Sequence, residues 1–298
     1  MSLQLLPLIQ QGDIRAIARS ISIIENEIPG YDELLRSLPH SNKKIIGITG
    51  PPGAGKSTIA DGLIGLLVES NQRVGILCVD PSSPFNLGSL LGDRLRMSQW
   101  YNNPNVFIRS LATRGSLGGL HPKILEISDL LKAAPFDVVI IETVGVGQSE
   151  VEIAGLADST IVVVVPESGD EIQTMKAGIM EVADIFAVNK ADRPGAEILA
   201  RNLRHRLSGT MESHQEPVPV ITTVASTGQG LRELLEAVNA GKVSQRTAEK
   251  KTWLLTEKAY RLIQSRRMSD VDKTALKFQI QQQAEKNDFN LYRFVKTF

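Results

Sequence analysis

The sequence predicts an α/β fold, a mostly parallel sheet flanked by helices, with further helices at both ends of the chain. Seven β-branched runs alternate with helical segments between residues 43 and 224. Several runs are almost continuously apolar, as in VVII and TIVVVV, and parallel strands that are covered on both faces have this composition. The predicted strands are residues 45–49, 74–79, 106–109, 138–141, 160–165, 185–189 and 218–224.

Helical patterns lie on both sides of this region. Asp13 is a suitable N-cap for a helix over residues 14–25, whose apolar residues recur at helical spacing. Beyond residue 241 two amphipathic helices are predicted, over 247–266 and 271–286, with Leu255, Leu262 and Ile263 on one face of the first. The predicted domains are therefore an N-terminal helical extension (1–42), the α/β domain (43–242) and a C-terminal helical segment (243–298).

The composition excludes several classes of protein. Lys and Arg number 33, as do Asp and Glu, so the net charge is zero and the pI is about 6.9. A nucleic-acid-binding protein usually carries a basic excess, so no nucleic-acid partner is predicted. No apolar stretch reaches the roughly 18 residues that span a bilayer, so no membrane association is predicted. The single cysteine, Cys78, lies in an apolar run and fits core packing in a reducing compartment, which predicts a cytoplasmic protein.

A phosphate-binding loop follows the first predicted strand. Residues 50–57 read GPPGAGKS and match G-x-x-x-x-G-K-[ST] between an apolar run and a helical segment. The glycines let successive backbone N–H groups converge on phosphates, Lys56 brings a positive charge to the β- and γ-phosphates, and Ser57 can ligate Mg²⁺. The predicted binding residues here are Gly50, Pro51, Pro52, Gly53, Ala54, Gly55, Lys56, Ser57 and Thr58.

A second motif, N-K-x-D, ends the predicted strand 185–189. The Asp192 carboxylate can accept hydrogen bonds from N1–H and the exocyclic amine of guanine, whereas adenine offers a donor at neither place. Asn189 would tie the loop together, and the stem of Lys190 could cover the purine face. The loop 222–228, TTVASTG, could present amides to guanine O6, which adds Ala225 and Ser226. The alternative is a turn with a solvated aspartate. GTP and GDP are therefore the predicted ligands.

Three acidic residues are candidates for the Mg²⁺ site. Asp80 and Glu142 end predicted strands, and Asp93 lies between them in LLGDRLRM. Carboxylates at the ends of parallel strands beside a phosphate loop suit Mg²⁺ or its waters. A surface helix is the alternative reading for Asp93. The predicted metal ligands are Ser57, Asp80, Asp93 and Glu142, and the predicted catalytic residues are Lys56, Asp93 and Glu142.

The segment that follows Glu142 lacks a water-orienting glutamine. Many GTPases carry DxxG and then this glutamine, whereas here Gly145 precedes Val146, and Gln148 comes two residues later. This pattern predicts Gly145 as a nucleotide contact and slow intrinsic hydrolysis, with the site completed by a partner or a moving loop. The candidate arginines are Arg94, Arg96, Arg109 and Arg114.

A polar loop after the strand 160–165 is a candidate for partner signalling. Its sequence, PESGDEIQTMK, starts at the ligand-facing edge of the sheet and is too polar for the core. We predict that it changes order with the nucleotide; an ordinary solvated loop is the alternative. Its predicted partner-responsive residues are Gly169, Asp170, Glu171, Gln173 and Lys176.

Taken together, the motifs GPPGAGKS, VDPSSP, TRGSLGGL, ETVGVGQSE and NKAD resemble those of the MeaB/ArgK-type P-loop GTPases over nearly the whole chain. The resemblance implies a GTPase that chaperones an adenosylcobalamin-dependent acyl-CoA mutase, typically methylmalonyl-CoA mutase, gating cofactor loading and protecting the enzyme. It also implies a homodimer built through the C-terminal helices and nucleotide-responsive loops at 80–96, 142–150 and 169–176.

Three other functions are open at this point. The same family also carries the name of an ArgK-type kinase linked to amino-acid transport. P-loop metallochaperones for nickel or zinc are a second related class, but they need Cys/His clusters, and this chain has one Cys and four scattered His. A binding module without hydrolysis is a third class, which Lys56 and the carboxylates disfavour.

Overall fold

Among the residues described by the computed structural model, seven strands form one sheet. Those residues are 4–80, 97–113, 120–143, 145, 149–168, 182–209, 218–240, 245–268, 271–284 and 289–296. The strands are β1 (Lys44–Thr49), β2 (Val74–Asp80), β3 (Val106–Ala112), β4 (Val138–Glu142), β5 (Ser159–Val164), β6 (Ile185–Val188) and β7 (Val220–Thr222). They pair in parallel in the order β3-β2-β4-β1-β5-β6-β7, which confirms the predicted fold class.

Helices cover both faces of the sheet. The first unit of the chain contains α1 (Leu5–Gln11), α2 (Ile14–Glu25), α3 (Tyr31–Ser37), α4 (Lys56–Glu69), α5 (Ile124–Ala133), α6 (Ser149–Leu156), α7 (Ala196–Gly209) and α8 (Leu231–Ala240). Alternate strand residues face opposite sides. Ile46 and Ile48 of β1 therefore share one core with α4 and α8, while a Cβ at Gly47 would meet Ile153 of α6 on the other side. Phe186 of β6 packs with α7.

The N-terminal helices form a further layer over α5. Asp13 caps α2 by accepting a hydrogen bond from the Ala16 N–H at 2.8 Å, which confirms the predicted cap. The apolar side of α2 buries Ile17, Ile21 and Ile24 completely. Because α2 packs against α5, this layer extends the hydrophobic core beyond the sheet.

A tryptophan is fixed against α4, the helix that follows the phosphate loop. The indole N–H of Trp100, at the end of a 3₁₀ turn (Ser98–Trp100), donates to Asp61 of α4 at 2.7 Å. The side-chain amide of Gln99 donates to the same carboxylate at 2.9 and 3.0 Å. A side chain built at Gly65 would come within 3.8 Å of the indole ring, so this glycine gives the ring a flat surface.

The chain divides into two compact units, Met1–Lys251 and Thr252–Phe298. Helix α9 (Gln245–Arg267) crosses the boundary, and the second unit also contains α10 (Lys273–Ala284) and a short α11 (Leu291–Val295) that the sequence did not predict. Leu255, Leu262 and Ile263 on α9 are more than half exposed. The division into three domains at 42 and 242 stays a prediction.

Candidate functional site

The phosphate loop, residues 50–57, lies at the carboxyl end of the sheet between β1 and α4. Gly50 and Gly55 have φ angles of +139° and +91°, which L side chains rarely adopt. A side chain at Gly50 would collide with the carbonyl oxygen of Val163 in β5, and one at Gly55 would collide with the side-chain amide of Asn189. Both glycines are therefore required by backbone conformation and by lack of space.

Lys56 is buried, with 6% of its surface exposed. Its amino group donates to the carbonyl oxygens of Gly50 at 2.9 Å and Pro51 at 3.0 Å, so the charge lies over the loop. A charge with little water around it acts strongly on a neighbouring charge. This location suits the predicted contact with the β- and γ-phosphates.

Ser57 and Glu142 meet at the N-terminus of α4. The Ser57 hydroxyl donates to Oε1 of Glu142 at 2.6 Å. Glu142 and Asp80 are 4% and 3% exposed. They are the last residues of β4 and β2, and both strands end at the same edge of the sheet. Glu142 is bonded to a hydroxyl, and Asp80 ends the neighbouring strand. Carboxylates and a hydroxyl are hard oxygen ligands, which Mg²⁺ prefers. These residues therefore fit the metal, although the predicted metal roles themselves stay proposals.

Gly145 closes the site from the side of β4. Its φ angle is +86°, and a side chain there would lie 2.5 Å from the Lys56 amino nitrogen and would overlap the Gly50 carbonyl oxygen. The backbone at Gly145 thus approaches the phosphate loop too closely for any side chain to fit between them. A residue larger than glycine would displace the lysine or the loop.

Of the four candidate arginines, Arg109 is the one that lies within the described residues, and its contacts hold it elsewhere. Its guanidinium donates to the Ser22 hydroxyl at 3.2 Å and pairs with the Glu25 carboxylate, both on α2. This pairing commits Arg109 to attaching the N-terminal layer to β3. It is therefore removed from the candidates for completing the nucleotide site.

Asn189 connects the phosphate loop to the two loops that are predicted to bind the base. These base-reading loops are the one after β6, which contains the N-K-x-D motif, and the loop 222–228. Its side-chain N–H donates to the carbonyl oxygen of Ala54 at 2.8 Å. Its side-chain oxygen accepts from the Thr223 hydroxyl and from the Ala225 N–H, both at 3.1 Å. Because Asn189 is only 3% exposed, these bonds are shielded from water. These three hydrogen bonds, the Asn189 frame, hold the phosphate loop and the two base-reading loops in fixed relative positions.

The other residues that are predicted to bind the base lie on the same two loops as these bonds. Lys190 follows Asn189 with a φ angle of +55°, a left-handed conformation that turns the chain sharply after β6. Asp192 and Ser226 are exposed, and Ala225 is half-buried. The Asp192 carboxylate is thus open to solvent at the same edge as the phosphate loop, as a ligand-reading group must be.

An ion pair joins the base-reading loop to the chain after β5. Arg193 pairs with Glu167, which lies in a 3₁₀ turn (Pro166–Ser168). The hydrogen bond from Arg193 lowers the pKa of Glu167, and the Glu167 carboxylate raises the pKa of Arg193. Both side chains are about half exposed, at 48% and 50%, so the pair adds little to stability but fixes two loops side by side.

Several predicted site residues lie outside the described residues. They are Asp93, Arg94, Arg96, Arg114, Val146, Gln148, Gly169, Asp170, Glu171, Gln173 and Lys176. Their predicted roles stay predictions.

Sequence reasoning missed three threonines that the structure brings to the site. Thr223 bonds to Asn189, while Thr49 and Thr143 bond to each other across the ends of β1 and β4. Thr49 directly precedes Gly50, Thr143 directly follows Glu142, and Thr223 lies within the predicted loop 222–228. A polar residue at the end of an apolar strand was the signal that could have found them.

No group of three or more His, Cys, Asp or Glu that could hold a metal occurs in the part of the chain that the structure describes. In the same part, every helix is too short or too polar to cross a membrane.

The chain is similar to known proteins in family, in sequence and in structure. The sequence model of a family described as methylmalonyl Co-A mutase-associated GTPase MeaB matches residues 17–277. A putative GTPase of Pyrococcus horikoshii is 44% identical over 269 residues, which are 87% of this chain and 85% of that protein. GTPase ArgK of Escherichia coli is 40% identical over 190 residues, 62% of this chain and 57% of that protein.

The solved structure of an LAO/AO transport system kinase is similar along nearly the whole chain. Its TM-score is 0.70 over 99% of this chain and 95% of that one. Sequence identity in this comparison is 24%, so the likeness shows a shared fold and nothing about activity.

Proposed function

Because the chain belongs to the MeaB family of methylmalonyl-CoA mutase-associated GTPases, we propose that this GTP hydrolase is the chaperone of an adenosylcobalamin-dependent acyl-CoA mutase. It would gate cofactor loading and protect the mutase from inactivation. The partner is of the methylmalonyl-CoA mutase type, as the family description states for its members. GTP and GDP states of this chain would bind the mutase with different affinities.

In the proposed hydrolytic site, one group of residues binds the base of the nucleotide and another binds its phosphates. Asp192 reads guanine, held in place through the frame of Asn189, while Lys56 and the loop amides bind the phosphates. Ser57, Asp80 and Glu142, together with Asp93, would hold Mg²⁺. When bound, Mg²⁺ would neutralise the charge that develops on the phosphates.

The proposed partner site is the segment 169–176. One observation supports its link to the nucleotide: the ion pair between Glu167 and Arg193 joins the chain two residues before this segment to the base-reading loop. Asn189 then connects the base-reading loop to the phosphate loop through Ala54. A set of contacts thus runs from the phosphate loop to Glu167, two residues before the proposed partner site.

Two further features belong to the same proposal. The chain acts as a homodimer through its C-terminal helices, a role that the exposed apolar residues of α9 favour. It acts in the cytoplasm, a compartment that its single, buried cysteine favours. The kinase alternative gains no support from the Escherichia coli relative, since that protein is itself named a GTPase.

Stimulation of hydrolysis by methylmalonyl-CoA mutase tests this proposal. The purified chain should release phosphate slowly when it is alone. Release should be about 10-fold faster or more when the mutase is present, because binding of the mutase would complete the hydrolytic site. Asp170→Ala and Lys176→Ala should keep the intrinsic rate and lose the stimulation. Lys56→Ala should show no hydrolysis under either condition.

Two exposed charges on α3, Asp32 and Arg36, provide matched controls. Asp32→Ala and Arg36→Ala remove one exposed anion and one exposed cation from a helix outside the proposed site, so both variants should be stimulated like the wild type. Equal stimulation of the Asp170 and Lys176 variants would exclude the segment as the partner site. No effect of the mutase on the wild type would exclude the chaperone function.

A further inference from the structure

A buried hydroxyl pair spans the two strands that carry the phosphate loop and Glu142. The Thr143 hydroxyl donates to the Thr49 hydroxyl at 2.9 Å, and the two residues are 1% and 0% exposed. The Thr143 N–H also donates to the carbonyl oxygen of Ile48 at 3.0 Å, which extends the pairing of β1 with β4 by one step. Two hydrogen bonds therefore tie the ends of these strands together.

Each threonine adjoins a part of the hydrolytic site. Thr49 is the residue before Gly50, where the phosphate loop begins. Thr143 follows Glu142, whose carboxylate accepts the Ser57 hydrogen bond, and precedes Gly145 by two residues. Since Gly145 lies within side-chain distance of both Gly50 and Lys56, a small shift of either strand end would alter these contacts.

We propose that Thr49 and Thr143 are positioning residues for GTP hydrolysis: their hydroxyl bond fixes the spacing between the phosphate loop and the Glu142–Gly145 segment. The inference rests on the proposed role of Glu142 at the Mg²⁺ site. Neither threonine is a catalytic residue, because each acts through its neighbour in the chain.

The physical basis is the directionality of the bond. Valine has nearly the shape of threonine and would fill the same space in an apolar sheet, but apolar contact tolerates small sliding movements. A hydroxyl–hydroxyl bond weakens steeply when its length or angle changes. It is therefore suited to hold a Mg²⁺ carboxylate at one distance from a phosphate-binding lysine, where misplacement by about 1 Å can cost roughly 100-fold in rate.

Single and double valine variants separate positioning from simple stability. Thr143→Val or Thr49→Val leaves one buried hydroxyl without its partner, which lowers the stability of the fold. Replacing both threonines removes the unpaired hydroxyl as well. We expect each single variant to melt roughly 2–4 °C lower and the double variant to regain most of that loss. If the pair positions the site, the double variant should nevertheless hydrolyse GTP about tenfold more slowly than the wild type.

Kinetics of the double variant should show changes in kcat and in the Mg²⁺ requirement but not in GDP affinity. We expect kcat to fall about tenfold and the Mg²⁺ concentration for half-maximal rate to rise severalfold. The affinity for GDP should stay within about twofold, because the Asn189 frame is unchanged. Thr143→Ser keeps the hydroxyl and should restore kcat. Thr160→Val is the matched control: it removes the hydroxyl of a fully buried sheet threonine whose Oγ1 has no hydrogen-bond partner among the described residues, and it should hydrolyse GTP normally.

Two results would overturn the inference, and they are distinguishable. If the double variant recovers both melting temperature and kcat, the pair serves stability alone, and the proposed nucleotide site is unaffected. Glu142→Ala provides the reference for a Mg²⁺ defect. If that variant shows the wild-type Mg²⁺ dependence, the proposed role of Glu142 fails, and the positioning role fails with it.

Discussion

Asn189, three residues before Asp192, is bonded to two other loops, those of Ala54 and Ala225. The frame is buried, while the Asp192 carboxylate is exposed. The fixed frame limits the positions that this carboxylate can take. A guanine base offers it two donors in line, which is why one carboxylate can distinguish purines.

We predict that Asp192→Asn weakens GTP binding by two or more orders of magnitude and strengthens binding of xanthosine triphosphate. Asparagine can donate to the 2-oxo group of xanthine, whereas that oxygen repels the wild-type carboxylate. Isothermal titration calorimetry with both nucleotides and with ATP measures the effect. Asp32→Asn, an exposed aspartate on α3, is the control and should bind GTP normally. Tight ATP binding by the wild type would contradict the guanine reading.

Some residues of the site could be predicted from the sequence, and others could not. The motif residues Lys56, Ser57, Glu142 and Asn189 could be located because each motif fixes both residue type and spacing. Thr49 and Thr143 could not, since their bond joins residues 94 positions apart and depends on which strands are neighbours. For the same reason the sequence could not show that Arg109 is paired with α2 rather than with the nucleotide site.

At the scale of elements, periodicity predicted helices and strands well. Helix α2 begins and ends where its cap and apolar spacing indicate, at Ile14 and Glu25. The strands differ from prediction mainly at their ends; β3 continues to Ala112 through the partly polar residues Arg109 and Ser110. These residues lie on the edge strand, where side chains can face the helical layer instead of a continuous apolar core. A pattern that counts apolar residues cannot detect such a continuation.

Helix α9 carries the prediction that belongs to this scale. Its exposed residues Leu255, Leu262 and Ile263 would be covered in a homodimer, as proposed above. We predict that Leu255→Glu combined with Leu262→Glu shifts the chain from dimer to monomer without loss of GTP binding. Charged residues placed in an apolar interface have a large desolvation cost.

Multi-angle light scattering measures this change, with nucleotide binding followed in the same samples. Gln264→Glu adds a charge at another exposed position of α9 and should leave the dimer intact. A double variant that remains dimeric would show that the interface lies elsewhere in the chain.

At the scale of the whole molecule, the sequence predicted a parallel sheet but not its strand order. Continuously apolar strands carry no mark of which neighbours they pair with, so the central position of β1 between β4 and β5 could be found only from the structure. That order places Glu142 and the start of the phosphate loop at the ends of adjacent strands. The predicted division of the chain at residues 42 and 242 stays open.

Reciprocity is the whole-molecule prediction of the proposed chaperone function. If GTP strengthens mutase binding by some factor, the mutase must strengthen GTP binding by the same factor. Coupling of this kind is typically 5–150-fold. Two titrations measure it: mutase into the chain bound to a non-hydrolysable GTP analogue or to GDP, and both nucleotides into the chain with and without mutase. A factor of one in both titrations would mean that the mutase does not distinguish the GTP state from the GDP state, which would contradict the proposed chaperone function.

The contact of Trp100 with Asp61 has a spectroscopic consequence. The chain contains two tryptophans, and the other, Trp253, is 55% exposed. Trp100 lies against α4, its indole N–H bonded to a carboxylate one helical turn beyond Ser57. An indole emission spectrum responds to the charge and polarity around the ring. With Trp253 replaced by Phe, Trp100 becomes an intrinsic fluorophore attached to the helix that begins at the phosphate loop, so nucleotide exchange can be followed in real time on unlabelled protein.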